Sequence, residues 1–274
     1  VTSSSGQTAT GSASPITVTG LTNGNAVTFT AQAQNAIGLG KASDASSSVT
    51  PLAEVISGLF STFLYTGTQS AATINNGINL SGKGGLVWIK DRSTNGHFLF
   101  DTERGATKRL RSHGTNAENT DSTSLTAFNT NGFSVGANAS MNGSGDSVVS
   151  WTFRKQPKFF DVVTYTGDGN DGRTISHSLG STPGMIIVAR RDSTNYWRVW
   201  HRSQTGKYAN LYDTGAFADD SSSSGVFNDY SGNSSTFTAG ININANSATY
   251  VAYLFAHNNN DGGFGPDSED IIKC

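Results

Sequence analysis

Cysteine is all but missing. Cys274, at the last position, is the single one in 274 residues, so no internal disulfide framework holds the fold. The redox compartment stays open, because extracellular chains also do without disulfides. Charge is scarce as well, at 14% of residues with a net of −2. Nucleic-acid phosphates are bound by clustered Lys and Arg. The densest basic stretch, Arg104 to Arg111 with Lys108 and Arg109, lacks the interleaved aromatics of a base-stacking surface. It reads as a solvated edge, and no nucleic-acid partner is expected. No apolar run approaches the roughly 18 to 20 residues of a membrane helix, which argues against membrane insertion. The start has no basic, apolar and small-residue order of a signal peptide. Helical periodicity is absent, and prolines number only 5.

What is abundant is Gly, at 32, with Ser, Thr and Asn in every segment and aromatics at 10% in short alternating runs. This weakly charged, polar composition predicts an all-β chain rather than a disordered one. One pattern is written twice. Tyr65-Thr66-Gly67 returns about a hundred residues later as Tyr165-Thr166-Gly167. After each comes an apolar run ending in a basic residue and a Ser-Thr-Asn turn: Leu86 to Lys90 before Ser93-Thr94-Asn95, and Met185 to Arg190 before Ser193-Thr194-Asn195. Phe133-Ser134-Val135-Gly136 is answered by Phe237-Thr238-Ala239-Gly240, and Val149 to Phe153 by Val251 to Phe255. Small shifts in the offset place indels between strands, where loops absorb them.

In chain order, Ile16 and Val18, then Val27, Phe29, Ala31 and Ala33, are spaced by two as in half-buried strands, with the turn Asn23-Gly24 between them. The run from Pro15 through Gly24, Val27-Thr28-Phe29-Thr30 and Asn35-Ala36-Ile37-Gly38 to Val49-Thr50-Pro51 resembles the second half of a fibronectin type III domain. Val27 stands where that family commonly has its corner tyrosine. Half a sandwich exposes its inner face, and a spacer role is expected.

The segment from Phe98 to Leu110, Ser124 to Gly136, and the Tyr-Thr-Gly and Val87-Trp88-Ile89-Lys90-Asp91-Arg92 strings resemble a repeat of tail-fibre and other virion structural proteins of marine bacteriophages. The resemblance spans roughly residues 56 to 258. It implies fibronectin-like modules upstream and a third copy downstream, and the ending Ile271-Ile272-Lys273-Cys274 matches the lead into that copy. The chain, opening on Val1, is expected to be an internal piece of a longer polypeptide. The second copy departs from the pattern, with only a loose counterpart of Gly105-Ala106-Thr107-Lys108 around Thr205 to Tyr208.

Candidate chemistry is thin. His97, His113, His177, His201 and His257 carry no metal-ligand spacing, and no nucleophile elbow, zinc-protease helix or phosphate-cradling loop is present. Asp91, Asp101 and Glu103 are close in sequence, as a glycosidase pair would need to be in space, but in one copy only. Oxygen-rich turns suit calcium at Asp168-Gly169-Asn170-Asp171-Gly172 and at Asp261, Asp267, Glu269 and Asp270, though neither has the full loop with its terminal Glu. No cofactor is expected beyond such a calcium ion. Trp197 and Trp200 have opposite parity, so on a regular strand one faces outward beside Tyr196 or Arg198. Outward rings stack on the C–H faces of sugars. The alternative is that both tryptophans are core.

The expectation is therefore an all-β chain: a partial fibronectin type III, immunoglobulin-like sandwich over 1–52, then two tandem related antiparallel β-sandwich units, jelly-roll or lectin-like, over 56–155 and 156–258. A Gly- and Asp-rich connector over 259–274 leads into a further repeat. Whether the two copies are separate sandwiches or share a core is left open. The expected function is a non-enzymatic structural and adhesive segment of a bacteriophage tail or virion fibre, extracellular, partnered by other virion proteins, copies of itself and a host-surface glycan. The rivals are a carbohydrate-binding or weakly hydrolytic module of a bacterial surface or secreted protein, and a filament-forming subunit.

Overall fold

The structure is a computed structural model that describes residues 1–22, 25–51, 56–93, 96–220, 225–228, 233–257 and 274. The fold is all-β, and the chain divides into two units, Val1–Glu54 and Val55–Cys274.

The first unit has short ladders: β1 (Thr2–Ser3) pairs with β2 (Phe29–Thr30), and β3 (Gln34–Asn35) with β4 (Gly38–Leu39), both antiparallel. A bridge joins Val27 to Val49, and Val27 is buried. Ile16 and Val18 are half-buried about an exposed Thr17, as alternation requires, but they belong to no strand. Alternation sets which side is covered, whereas a ladder also needs a neighbouring backbone. The turn Asn23-Gly24 lies outside the described residues.

The second unit is built in two halves. The first lays down β5 (Phe60–Thr66), β6 (Ala72–Asn75), β7 (Gly85–Asp91), β8 (His97–Asp101), β9 (Lys108–Arg111), β10 (Asn119–Thr120), β11 (Leu125–Asn129), β12 (Gly132–Val135), a one-turn helix α1 (Ala139–Asn142) and β13 (Ser147–Arg154). The second lays down β14 (Phe160–Thr166), β15 (Arg173–Ser176), β16 (Pro183–Arg190), β17 (Arg198–His201), β18 (Lys207–Asn210), β19 (Ala218–Asp219), β20 (Thr236–Ala239) and β21 (Thr249–Ala256). One six-stranded sheet runs β10-β9-β8-β7-β13-β5 and the other β19-β18-β17-β16-β21-β14, so the order of one is the order of the other. Every strand pairing in them is antiparallel. Smaller sheets, β11-β12-β6 and β15-β20, accompany them.

Both parities of β7, β16 and β21 are apolar because each large sheet is covered twice. On one side β7 sends Val87 and Ile89 into a core with Ile74, Phe133 and Val135 from the small sheet of its own half. The second half does likewise, with Ile186, Val188 and Leu254 against Phe237 and Ala239. On the other side the two large sheets face each other, and Leu86, Leu99 and Leu110 pack with Phe160, Val162, Tyr253 and Phe255 in one core. The two halves therefore share a core.

The repeated Tyr-Thr-Gly has a local physical reason. Tyr65 Oη donates to Met141 O and Tyr165 Oη to Ile243 O, each at 2.7 Å. A Cβ on Gly67 would stand 2.1 Å from Gly143 O, and one on Gly167 2.1 Å from Ala245 O. The Asn142 and Asn244 side chains accept from the next backbone amides, those of Thr68 and Asp168. The tripeptide closes the strand end onto the corner before β13 or β21, and only a residue without a side chain lets the backbones approach so closely.

At the rim of the shared core lies an ionic seam. Arg104, fully buried, donates from Nε to Asp101 Oδ2 at 2.5 Å, from Nη1 to Glu118 Oε2 at 3.1 Å, and from Nη2 to Leu99 O and Tyr253 Oη. Tyr253 Oη donates to Asp101 Oδ2 at 2.8 Å. Glu118 also receives Arg191 at both oxygens, 3.0 and 3.2 Å. Burial alone would raise the Glu118 carboxyl, but hydrogen bonds from Arg191 and the charges of Arg104 and Arg191 hold it below the ordinary carboxylate value. Asp101, Arg104 and Glu118 belong to the first half, Arg191 and Tyr253 to the second, so a charge network bolts the halves together.

Candidate functional site

Neighbouring strands β7 and β13 place Trp88 directly opposite Trp151. On β8, Leu99 is opposite Trp88, which puts His97 two residues away on the same face. Trp88 Nε1 donates to His97 Nδ1 at 3.1 Å. The His97 and Trp151 rings lie parallel at 6.4 Å and 12°, with Trp88 edge-on to both. All three are partly exposed, and with Phe153 they line a cleft of about 240 Å³. Burial, then the charges of Lys90 and His113, lower the His97 imidazole from its ordinary value of 6.5. It is neutral at pH 7, with Nδ1 accepting from Trp88 and the proton on Nε2. The surface offers ring faces and one neutral donor, without a nucleophile or a paired acid and base.

The residues singled out in the sequence are placed differently. Trp197 is 1% exposed and Trp200 5%, so the expectation that one faces outward is corrected. They do point to opposite sides, Trp197 into the shared core on Tyr253 and Trp200 into the outer core of its own half. Both sides are covered, and parity alone does not say so. Tyr196 is 44% exposed and belongs to a ladder of rings. It stacks on Tyr212 at 5.6 Å and 27°, and the Arg198 guanidinium lies 5.0 Å from both Tyr196 and Tyr208. Arg198 Nη1 donates to Asn210 Oδ1 at 2.6 Å, while its buried Nε has no partner among the described residues.

Asp261, Asp267, Glu269 and Asp270 lie outside the described residues. At the other turn suggested for calcium, Asp168 Oδ1 accepts from Asn170 N and Asn244 Nδ2, and Asp171 Oδ1 from Asn228 Nδ2 and Ile241 N. Those oxygens do the backbone-closing work of an Asx turn, and no metal-ligating group of three appears among the described residues. The three neighbouring carboxylates have separate tasks: Asp91 accepts from Ser93 N, Asp101 sits in the seam, and Glu103 pairs with Lys155 at 2.7 Å. His97 and His113 do meet, since the His97 amide donates to His113 Nδ1 at 2.9 Å.

The sequence did not mark Trp88 and Trp151 as surface residues, because Leu86 to Ile89 is apolar at both parities, the pattern of a strand covered on both faces. One signal was available. Register matches Trp88 with Ile187, Trp151 with Tyr253 and, two residues before Leu99 and Val199, His97 with Trp197. Within an otherwise repeated pattern, these positions change residue type.

A family model described as "Domain of unknown function (DUF7483)" matches residues 56–265. The chain belongs to the DUF7483 family. The match spans both halves of the second unit, so the DUF7483 region contains the shared core, the ionic seam, the aromatic cleft and the tyrosine ladder. Neither the curated proteins nor the solved structures yield a match.

Proposed function

We propose that this chain is a non-enzymatic structural and adhesive segment of a bacteriophage tail or virion fibre, exposed outside the cell. In this reading the first unit is a fibronectin-like spacer, and the DUF7483 region arose by tandem duplication of a sheet-forming unit. The observation that carries it is the shared inter-sheet core with its buried seam between Arg104 and Tyr253. Two related sheets locked face to face make a stiff element that transmits load, which is what a fibre needs. The resemblance of the repeated strings to virion structural proteins supplies the setting.

Adhesion falls to the ladder of Tyr196, Arg198, Tyr208 and Tyr212. Ring faces stack on sugar C–H surfaces, and the partly exposed Arg198 guanidinium among the rings favours a saccharide bearing a carboxylate or sulfate. Individual contacts of this kind are weak, and copies along a fibre turn them into avidity.

A glycan array probed with the full chain tests the reading. Selective binding of acidic glycans, weakened about tenfold by Arg198→Ala, as loss of one charged hydrogen bond implies, supports it. Release of oligosaccharide products from a host polysaccharide would replace it with a hydrolytic module.

A further inference from the structure

The two halves present the same surface in two states. In the second half Ile187, Trp197 and Tyr253 are 3%, 1% and 0% exposed, with Trp197 and Tyr253 parallel at 6.4 Å and 13°. Their register partners Trp88, His97 and Trp151 keep the same stack, at 6.4 Å and 12°, yet are partly exposed around the cleft. What seals the second-half surface is an edge of the first half. Asp101 and Arg104 bond Tyr253 Oη, Glu118 holds Arg191, and Thr115 O accepts from Asn195 N.

Strand register also locates the corresponding edge of the second half. Asp101 pairs with Leu86 as His201 pairs with Met185, and Glu118, next before the β10 strand, corresponds to Phe217, next before β19. This edge is open. Residues 213–219 are exposed, Phe217 is 37% exposed and His201 is partly so. Among the described residues of the second unit, one sealing edge thus has nothing to seal and one face has nothing over it.

We infer that a second copy of this chain seats its second-half edge, with His201 and Phe217, in the first-half cleft of Trp88, His97 and Trp151. The contact between copies repeats the contact between halves. The residue changes suit the exchange. The inner seam sets Asp101 against Tyr253 and Glu118 against Arg191, whereas the outer one sets the His201 imidazole against the Trp151 indole and the Phe217 ring against the exposed Arg92, which stands where Arg191 does in the other half. An edge that meets a different face makes a heterologous contact, which propagates into a filament or closes into a ring instead of stopping at a two-fold dimer. A two-fold relation between the halves would have buried both aromatic sets alike, and it has not. The inference needs neither a bacteriophage setting nor a glycan, so it stands or falls separately from the adhesive reading.

Sedimentation velocity of the full chain from micromolar to millimolar concentration tests it, with Trp151→Ser disabling the cleft and Phe217→Lys, which sets a like charge against Arg92, disabling the edge. The wild type is expected to grow beyond a dimer as concentration rises. Each variant alone should lose association at least tenfold, and an equimolar mixture should give a one-to-one dimer and nothing larger, because one cleft and one edge remain. Thermal unfolding verifies that each variant is folded, and His97→Ala with His201→Ala provides a milder second pair. A wild type that stays monomeric throughout overturns the inference. So does a dimer ceiling, a mixture that does not pair, or association untouched by either substitution. Quenching of tryptophan emission by an oligosaccharide in a monomeric wild type, lost in Trp151→Ser, would give the cleft to a sugar and also overturn it.

Discussion

Glu118 accepts from Arg104 within its own half and from Arg191 of the other, so its removal leaves two guanidinium groups short of an acceptor. Its side chain is 12% exposed against 0% for Arg104. Glu118→Ala should therefore cost roughly 2 to 4 kcal/mol, between an exposed and a fully buried pair, read as a lower urea midpoint. The pH dependence has a definite sign. Because the folded carboxyl titrates below its ordinary 4.5, its contribution is complete above that value and is lost as pH falls through the lowered one. The gap between wild type and Glu118→Ala should be full at pH 7 and shrink in acid below about 4.5. At this scale the sequence was least informative. Opposite parity of Trp197 and Trp200 was readable, but burial depends on what faces each side, which no local pattern records.

Strand ends carry the motif that the chain writes twice. Gly67→Ala or Gly167→Ala forces a Cβ to 2.1 Å from a backbone carbonyl, and backbone cannot swing aside as a side-chain tip does. Each should cost roughly 3 kcal/mol or more. Gly145→Ala is the control: its φ is +82° with nothing within 4 Å of the added Cβ, so only left-handed strain of about 1 to 2 kcal/mol applies. Equal losses at Gly67 and Gly145 in thermal unfolding would deny that close approach is the reason for the motif. The repeat was legible because Tyr-Thr-Gly is a short, fixed string. Its cause was not, since Met141 O is 76 residues from Tyr65 and Ile243 O is 78 from Tyr165. In the first unit, Ile16 and Val18 alternate without a ladder, which shows how periodicity reads facing and not pairing.

For the molecule as a whole, doubly apolar strands such as β7 and β21 announced that two covers exist without saying which. One cover is the small sheet of the same half, and the other is the opposite half. That second cover makes two repeated sheets into one body, and the proposed load-bearing role depends on it. Differential scanning calorimetry of the full chain measures this directly. At about 0.7 kcal/mol per residue near 60 °C, a body of about 200 residues that melts as one has a van't Hoff enthalpy of about 140 kcal/mol, with any separate melting of the first unit appearing as a much smaller transition. A single large transition near that value is the predicted result. Two transitions of about 70 kcal/mol each would mean that the halves unfold independently, and would contradict a shared core.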